Sequence, residues 1–136
     1  AMASTRHCDV VSFNIYEQQL ADHFPELQKA GDKPYLVGEF HYGALDRGLF
    51  HTGLVPVKNQ ADRAEHFTRF VTDCLKHPNI VGCHWFQFSD SPTTGRLWDG
   101  ENYQIGFTDV CDTPYAELIT ASRAMGESLY QPRTKQ

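Results

Sequence analysis

The chain has 136 residues, 40% of them hydrophobic, which is enough apolar material to pack one ordinary domain and no more. Its formal net charge of −5 and the scattered placement of Lys33, Arg47 and Lys58 exclude a basic stripe for nucleic acid. No apolar run approaches the ~20 residues of a membrane span. The opening "AMAS" reads as a cloning remnant and residues 131–136, with Lys135, as a tail, so residues 5–130 form the folding unit.

"CDVVSFNIY" (8–16) is an apolar run rich in β-branched and aromatic residues, the pattern of a buried parallel strand. A weak helix follows, with Leu20, Phe24 and Leu27 spaced for one face, Pro25 breaking it or opening its second part, and Gly31 as its stop. "KPYLVGEF" (33–40) is the second strand. "ADRAEHFTRFVTDCLKHP" is a convincing helix: Ala64, Phe67, Val71, Cys74 and Leu75 step by three and four, while Arg63, Glu65 and Arg69 are expected to face outward. Lys76 and His77 suit the negative end of its dipole, and Pro78 marks its stop. "NIVGCHWFQF" (79–88) is the third strand. The last helix begins near Pro114 and carries Leu118, Ile119, Met125 and Leu129.

Three strand–helix repeats predict right-handed crossovers and a parallel sheet with the helices outside. The loops after the second and third strands, roughly 41–60 and 89–113, far exceed the usual 2–6 residues. Both leave the C-terminal ends of strands, where α/β proteins place function. Cys8, Cys74, Cys83 and Cys111 share no CxxC spacing and are expected to be small buried residues. His41 and His84 have no metal-ligand spacing, so no metal and no cofactor is expected. Gly43, Gly48 and Gly53 follow no nucleotide fingerprint, which argues against a flavodoxin-like binder.

Glu39 ends an apolar strand, between Gly38 and the aromatic Phe40. An unpaired carboxylate costs several kcal/mol to bury, so Glu39 either reaches solvent or belongs to a site that needs its charge.

The stretches "GEFHYGALDRGLFHTGLVPVKNQADRA", "HWFQFSDSPTTGR" and "DGENYQIGFTDVCDTPY" resemble retaining glycoside hydrolases of the (β/α)8-barrel clan, and among them the family-50 β-agarases. The resemblance runs from about residue 9 to about residue 130. It implies an α/β fold of a particular kind: a half TIM barrel, the last three parallel βα units, with long loops at the C-terminal strand ends. It further implies that Glu39 is the catalytic nucleophile and that Trp85 is the aromatic platform under the sugar at the cleavage site. Tyr16 resembles the tyrosine that hydrogen-bonds the nucleophile. Asn14, His41, Gln87 and Asp90 are polar groups at strand ends able to bind hydroxyls. Asp99, Glu101 and Asn102 lie in a "DGEN" turn whose default role is loop structure.

Retaining hydrolysis also needs an acid/base carboxyl ~5–5.5 Å from the nucleophile. In the clan that residue follows the fourth strand, which this chain lacks; Glu17 begins a helix and Glu65 sits on the outer face of one. A full barrel takes ~250 residues. The expected partners are therefore a galactan-type oligosaccharide or polysaccharide and a second copy of the chain. The resemblance implies a secreted or periplasmic parent enzyme. The alternative is a self-assembling half-barrel that binds carbohydrate or serves structure without catalysis. On either reading Val11, Phe13, Val37 and Val81 are expected on the inner face of the sheet.

Overall fold

The computed structural model describes residues 3–131, so nearly all of the expected tail and half of the "AMAS" remnant lie outside the described residues. Three strands, β1 (Val11–Asn14), β2 (Tyr35–Phe40) and β3 (Ile80–Trp85), form one parallel sheet in the order β1-β2-β3. They are shorter than the apolar runs suggested, and β3 stops at Trp85 because the chain then turns into its long loop.

The helices lie on one side of this sheet. The first is a 3₁₀ turn, Leu20–His23, running into a short helix α1 (Phe24–Gln28) whose first turn holds Pro25. Proline's fixed φ and missing N–H suit that position, so it opens the second part instead of breaking it. Helix α2 (Gln60–Lys76) is capped reciprocally: the Asn59 side chain accepts from Asp62 N at 2.9 Å, and the Asp62 carboxylate accepts from Lys58 N at 3.0 Å. These bonds satisfy N–H groups at the helix start that have no partner within the helix. Helix α3 (Ala116–Ser128) begins after Tyr115 and seals Leu118 completely.

Phe67, Phe70, Val71 and Cys74 of α2 pack on Val11, Tyr35, Val37 and Phe40 of the sheet. Phe40 stacks face to face on Phe70 with centroids 4.1 Å apart. Burying side chains of this size contributes roughly 1.5–3 kcal/mol each before entropy is counted. Because side chains alternate along a strand, this burial fixes the other face. Val11 and Val37 are enclosed under the helices, and Phe13 packs at the edge of the same cluster. Val81 lines a groove with Leu75 and Leu129, on the helix side as well. The four residues expected on the inner face are thus all on the helix face. The opposite face is presented by Ser12, Leu36 and Gly38.

Arg63 overturns a second expectation. It does not face outward but is wholly buried. Its Nε donates to Tyr42 O at 2.9 Å, one terminal nitrogen to Gln60 Oε1 at 2.5 Å, and the other to Gly106 O at 2.8 Å. Helix α2 thereby grips both long loops, one through Tyr42 and the other through Gly106. The spacing does contain the signal: Arg63, Phe67, Phe70 and Cys74 follow one another at steps of four, three and four, on the same stripe.

The cysteines divide. Cys74 is buried and Cys83 half-buried, while Cys8 and Cys111 are exposed, and all four are free thiols. The interaction between the two thiols, and burial, push the pKa of Cys74 up, while the same interaction draws that of Cys83 down. Cys8 precedes the first strand and Cys111 sits in a turn whose N–H bonds Asp109 at 2.8 Å, so neither reaches the core.

Candidate active site at the carboxyl ends of the strands

The position of Glu39 follows from a break in register. Phe13 pairs with Val37 and Asn14 with Glu39, leaving Gly38 without a counterpart on β1. Against β3, Val37 pairs with Cys83 and Phe40 with Trp85. Two residues, Gly38 and Glu39, therefore occupy the space of one. This is a β-bulge, and it re-aims the chain. Without it, alternation would put Glu39 under the helices with Val37; with it, Phe40 takes that place and the carboxylate turns away. Gly38 is required at the bulge, since a Cβ there would come within 2.6 Å of Ser12 Oγ and 2.8 Å of Asn14 Oδ1.

Tyr16, just beyond β1, donates its hydroxyl to Glu39 Oε2 at 2.5 Å. Burial first, and the bond to Glu39 second, push the phenol pKa well above its usual value, so Tyr16 remains a proton donor. The Tyr16 ring packs on His41, centroids 4.7 Å apart. Asn14, opposite Glu39 in the register, is exposed beside it.

His41 is not available to a ligand. It is buried, Nε2 accepts from Leu54 N at 2.8 Å, and Nδ1 lies 3.1 Å from Phe86 O. Nε2 is an acceptor here, so the proton sits on Nδ1 and the ring is neutral. Burial lowers its pKa to about 4, against the opposing pull of the Phe86 carbonyl. The hydroxyl-binding role expected for His41 gives way to a role in holding the first long loop to the end of β3.

Asp90 is corrected in the same way. It is buried, Oδ1 accepts from Gly106 N at 2.7 Å, and Oδ2 accepts from Tyr115 OH at 2.5 Å. Burial raises the carboxyl pKa, opposed by these bonds and by Arg63. Gly106 is thus held by Asp90 through its N–H and by Arg63 through its carbonyl oxygen, in two successive peptide groups. Gly106 itself must lack a side chain, because a Cβ would meet Asp90 N at 2.3 Å.

Trp85 is also placed otherwise than expected. It pairs with Phe40 and shares its face, packing edge-on against Phe40, Phe67 and Phe107, with its indole N–H donated to Ile105 O at 2.7 Å. It reaches the same end of the sheet as Glu39 but on the helix side. Phe86 and Tyr103 border the Glu39 group, each with its centroid 6.1 Å from that of His41, and Phe86 lies 5.3 Å from the Arg96 guanidinium.

Arg96 belongs to the second long loop and was not singled out by sequence. It forks onto Asp99, Nε at 3.1 Å and Nη2 at 2.7 Å, bonds Glu101 with Nη2, and reaches Gln87 Oε1 at 3.4 Å with Nη1. Gln87 in turn donates to Ser91 Oγ at 3.3 Å. The hydrogen bond to Asp99 is the main cause of a raised Arg96 pKa. Both Arg96 and Glu101 act electrostatically on the Tyr16 hydroxyl. The "DGEN" turn is therefore part of the site's wall. The sequence holds the charges but not the loop path that brings them to Tyr16. Among the described residues, no three His, Cys, Asp or Glu side chains gather as a metal site requires.

No protein-family profile matches the chain. It is 43% identical over 136 residues to β-agarase B of Vibrio sp. (strain JT0107), covering 99% of this chain and 14% of that protein. The solved structure of PfGH50B superposes with a TM-score of 0.89 at 48% identity, over 96% of this chain and 19% of that one. An exo-β-agarase structure gives 0.90 at 44% identity, over 97% of this chain and 18% of that one. The chain spans a fifth or less of the length of these relatives. Its close homologues are the family-50 β-agarases, and it corresponds to one segment of them.

Proposed function

We propose that residues 5–130 are the last three βα units of a retaining glycoside hydrolase barrel, with Glu39 as the nucleophile and a galactan as the parent enzyme's substrate. The observation that carries this is the Tyr16–Glu39 hydrogen bond of 2.5 Å at a bulge that turns the carboxylate away from the helices. Tyr16 occupies Oε2, which leaves Oε1 to attack the anomeric carbon. The new C–O bond to Glu39 forms as the glycosidic C–O bond breaks, and the departing oxygen takes a proton from an acid. Water then hydrolyses the glycosyl ester and frees the Glu39 carboxylate. Asn14 and Gln87, beside these groups, bind sugar hydroxyls, and Phe86 rather than Trp85 takes the apolar face of the pyranose.

The acid belongs to a part of the barrel that this segment does not supply. General acid help is worth ~10²–10⁴-fold, and the missing wall costs orientation besides. The segment alone therefore turns over agarotetraose negligibly. Robust hydrolysis that Glu39→Gln abolishes would overturn the claim of inactivity and direct attention to Glu101 as the acid.

A second reading, self-association, is favoured by the two open edges of the sheet and by the groove of about 470 Å³ along β3. Val81 there is 57% exposed and Tyr130 76%. Unpaired strand edges beside apolar surface invite pairing.

A further inference from the structure

We propose that the Arg96 turn sets the charge preference of the site: Asp99 and Glu101 mask the Arg96 cation on its wall, so that neutral sugars are accepted and sulfated or carboxylated ones refused. This rests on the reading of the site given above and adds to it the class of sugar admitted.

The geometry joins the turn to the nucleophile without a gap. Glu39 bonds Tyr16, Tyr16 packs on His41, His41 meets Phe86, and the Arg96 guanidinium lies over Phe86 and bonds Gln87. An arginine here, if free, would bind a sulfate or carboxylate through its fork of N–H groups. Its Nε and Nη2 are already taken by the two carboxylates, and Nη1 reaches Gln87 Oε1 at 3.4 Å. Two carboxylates bond it, so the trio carries a formal charge of −1 rather than +1. The other cation acting on this group, Arg63, is wholly buried and its donors are spent on Tyr42, Gln60 and Gly106. The turn is also rigid: Arg96 N donates to Glu101 O at 2.9 Å and Gly100 N to Arg96 O at 2.8 Å. The mask is thus preorganised, and an anion would have to displace it.

The test grades the charge of the trio. Arg96→Gln gives −2, the natural chain −1, Glu101→Gln 0, and Asp99→Asn with Glu101→Gln +1. The ratio of dissociation constants for agarotetraose and for agarotetraose carrying one 6-sulfate is measured by NMR titration, with thermal melting confirming each fold. The preference for the neutral sugar should fall at every step and change by about 10-fold or more between the natural chain and the double variant. It should flatten in ~1 M salt, where the screening length is about 3 Å. Neutral binding with an unchanged ratio across the series would overturn the inference and leave the reading of the site intact. Binding of neither sugar to any of the four proteins would overturn the reading of the site, and the inference with it.

Discussion

His41 illustrates how a residue at the site can serve it without touching a ligand. Its folded-state pKa of about 4 lies below the ordinary value of 6.5. Between those values the unfolded chain binds more protons than the folded one, so stability rises with pH. The contribution is fully present above pH ~6.5 and is lost as pH falls toward 4, at most about 3 kcal/mol. Denaturant midpoints measured from pH 7 to 4.5 should fall, and the fall should be shallower in His41→Gln. Equal slopes in the two proteins would refute a neutral buried imidazole. Arg63→Met should cost about 3–5 kcal/mol, because it leaves the Tyr42 and Gly106 carbonyls and the buried Asp90 carboxylate without their cation. A loss below 1 kcal/mol in urea denaturation would contradict that role.

At the scale of elements, the sequence carried the three strands, the long helix and the placing of both loops, because apolar spacing and the Pro and Gly stops act locally. It misassigned the faces of the sheet, because alternation separates Val11 and Phe13 from Ser12 and Asn14 but does not say which set meets the helices. It missed the bulge for the same reason: "VGEF" shows a glycine but not that two residues face one on each neighbour. The same register moves Trp85 away from its expected place, since pairing with Phe40 commits it to the helix face. Gly38→Ala tests the bulge. Its methyl would press on Ser12 and Asn14, cost roughly 1–3 kcal/mol, and displace Glu39 from Tyr16. A variant of unchanged stability whose Tyr16 hydroxyl keeps the same NMR environment would show that the bulge has slack.

At the scale of the whole molecule, the three-stranded parallel sheet leaves the outer edges of β1 and β3 without a strand partner among the described residues. Sedimentation should find the chain dimeric or in small oligomers at micromolar concentration, with Val81→Lys shifting it toward monomer; a stable monomer would mean that the edges are tolerated. The charge, the loops and the bulge converge on one carboxylate, and its reactivity is the centre of the account. A 2-fluoro-galactoside with a dinitrophenyl leaving group needs no acid, because the phenolate departs unprotonated. Incubated with the chain and followed by intact mass and peptide mapping, it should leave one fluorogalactosyl ester, on Glu39, and none in Glu39→Gln. An ester on any other residue, or none on Glu39 after prolonged exposure, would contradict the assignment of Glu39 as nucleophile.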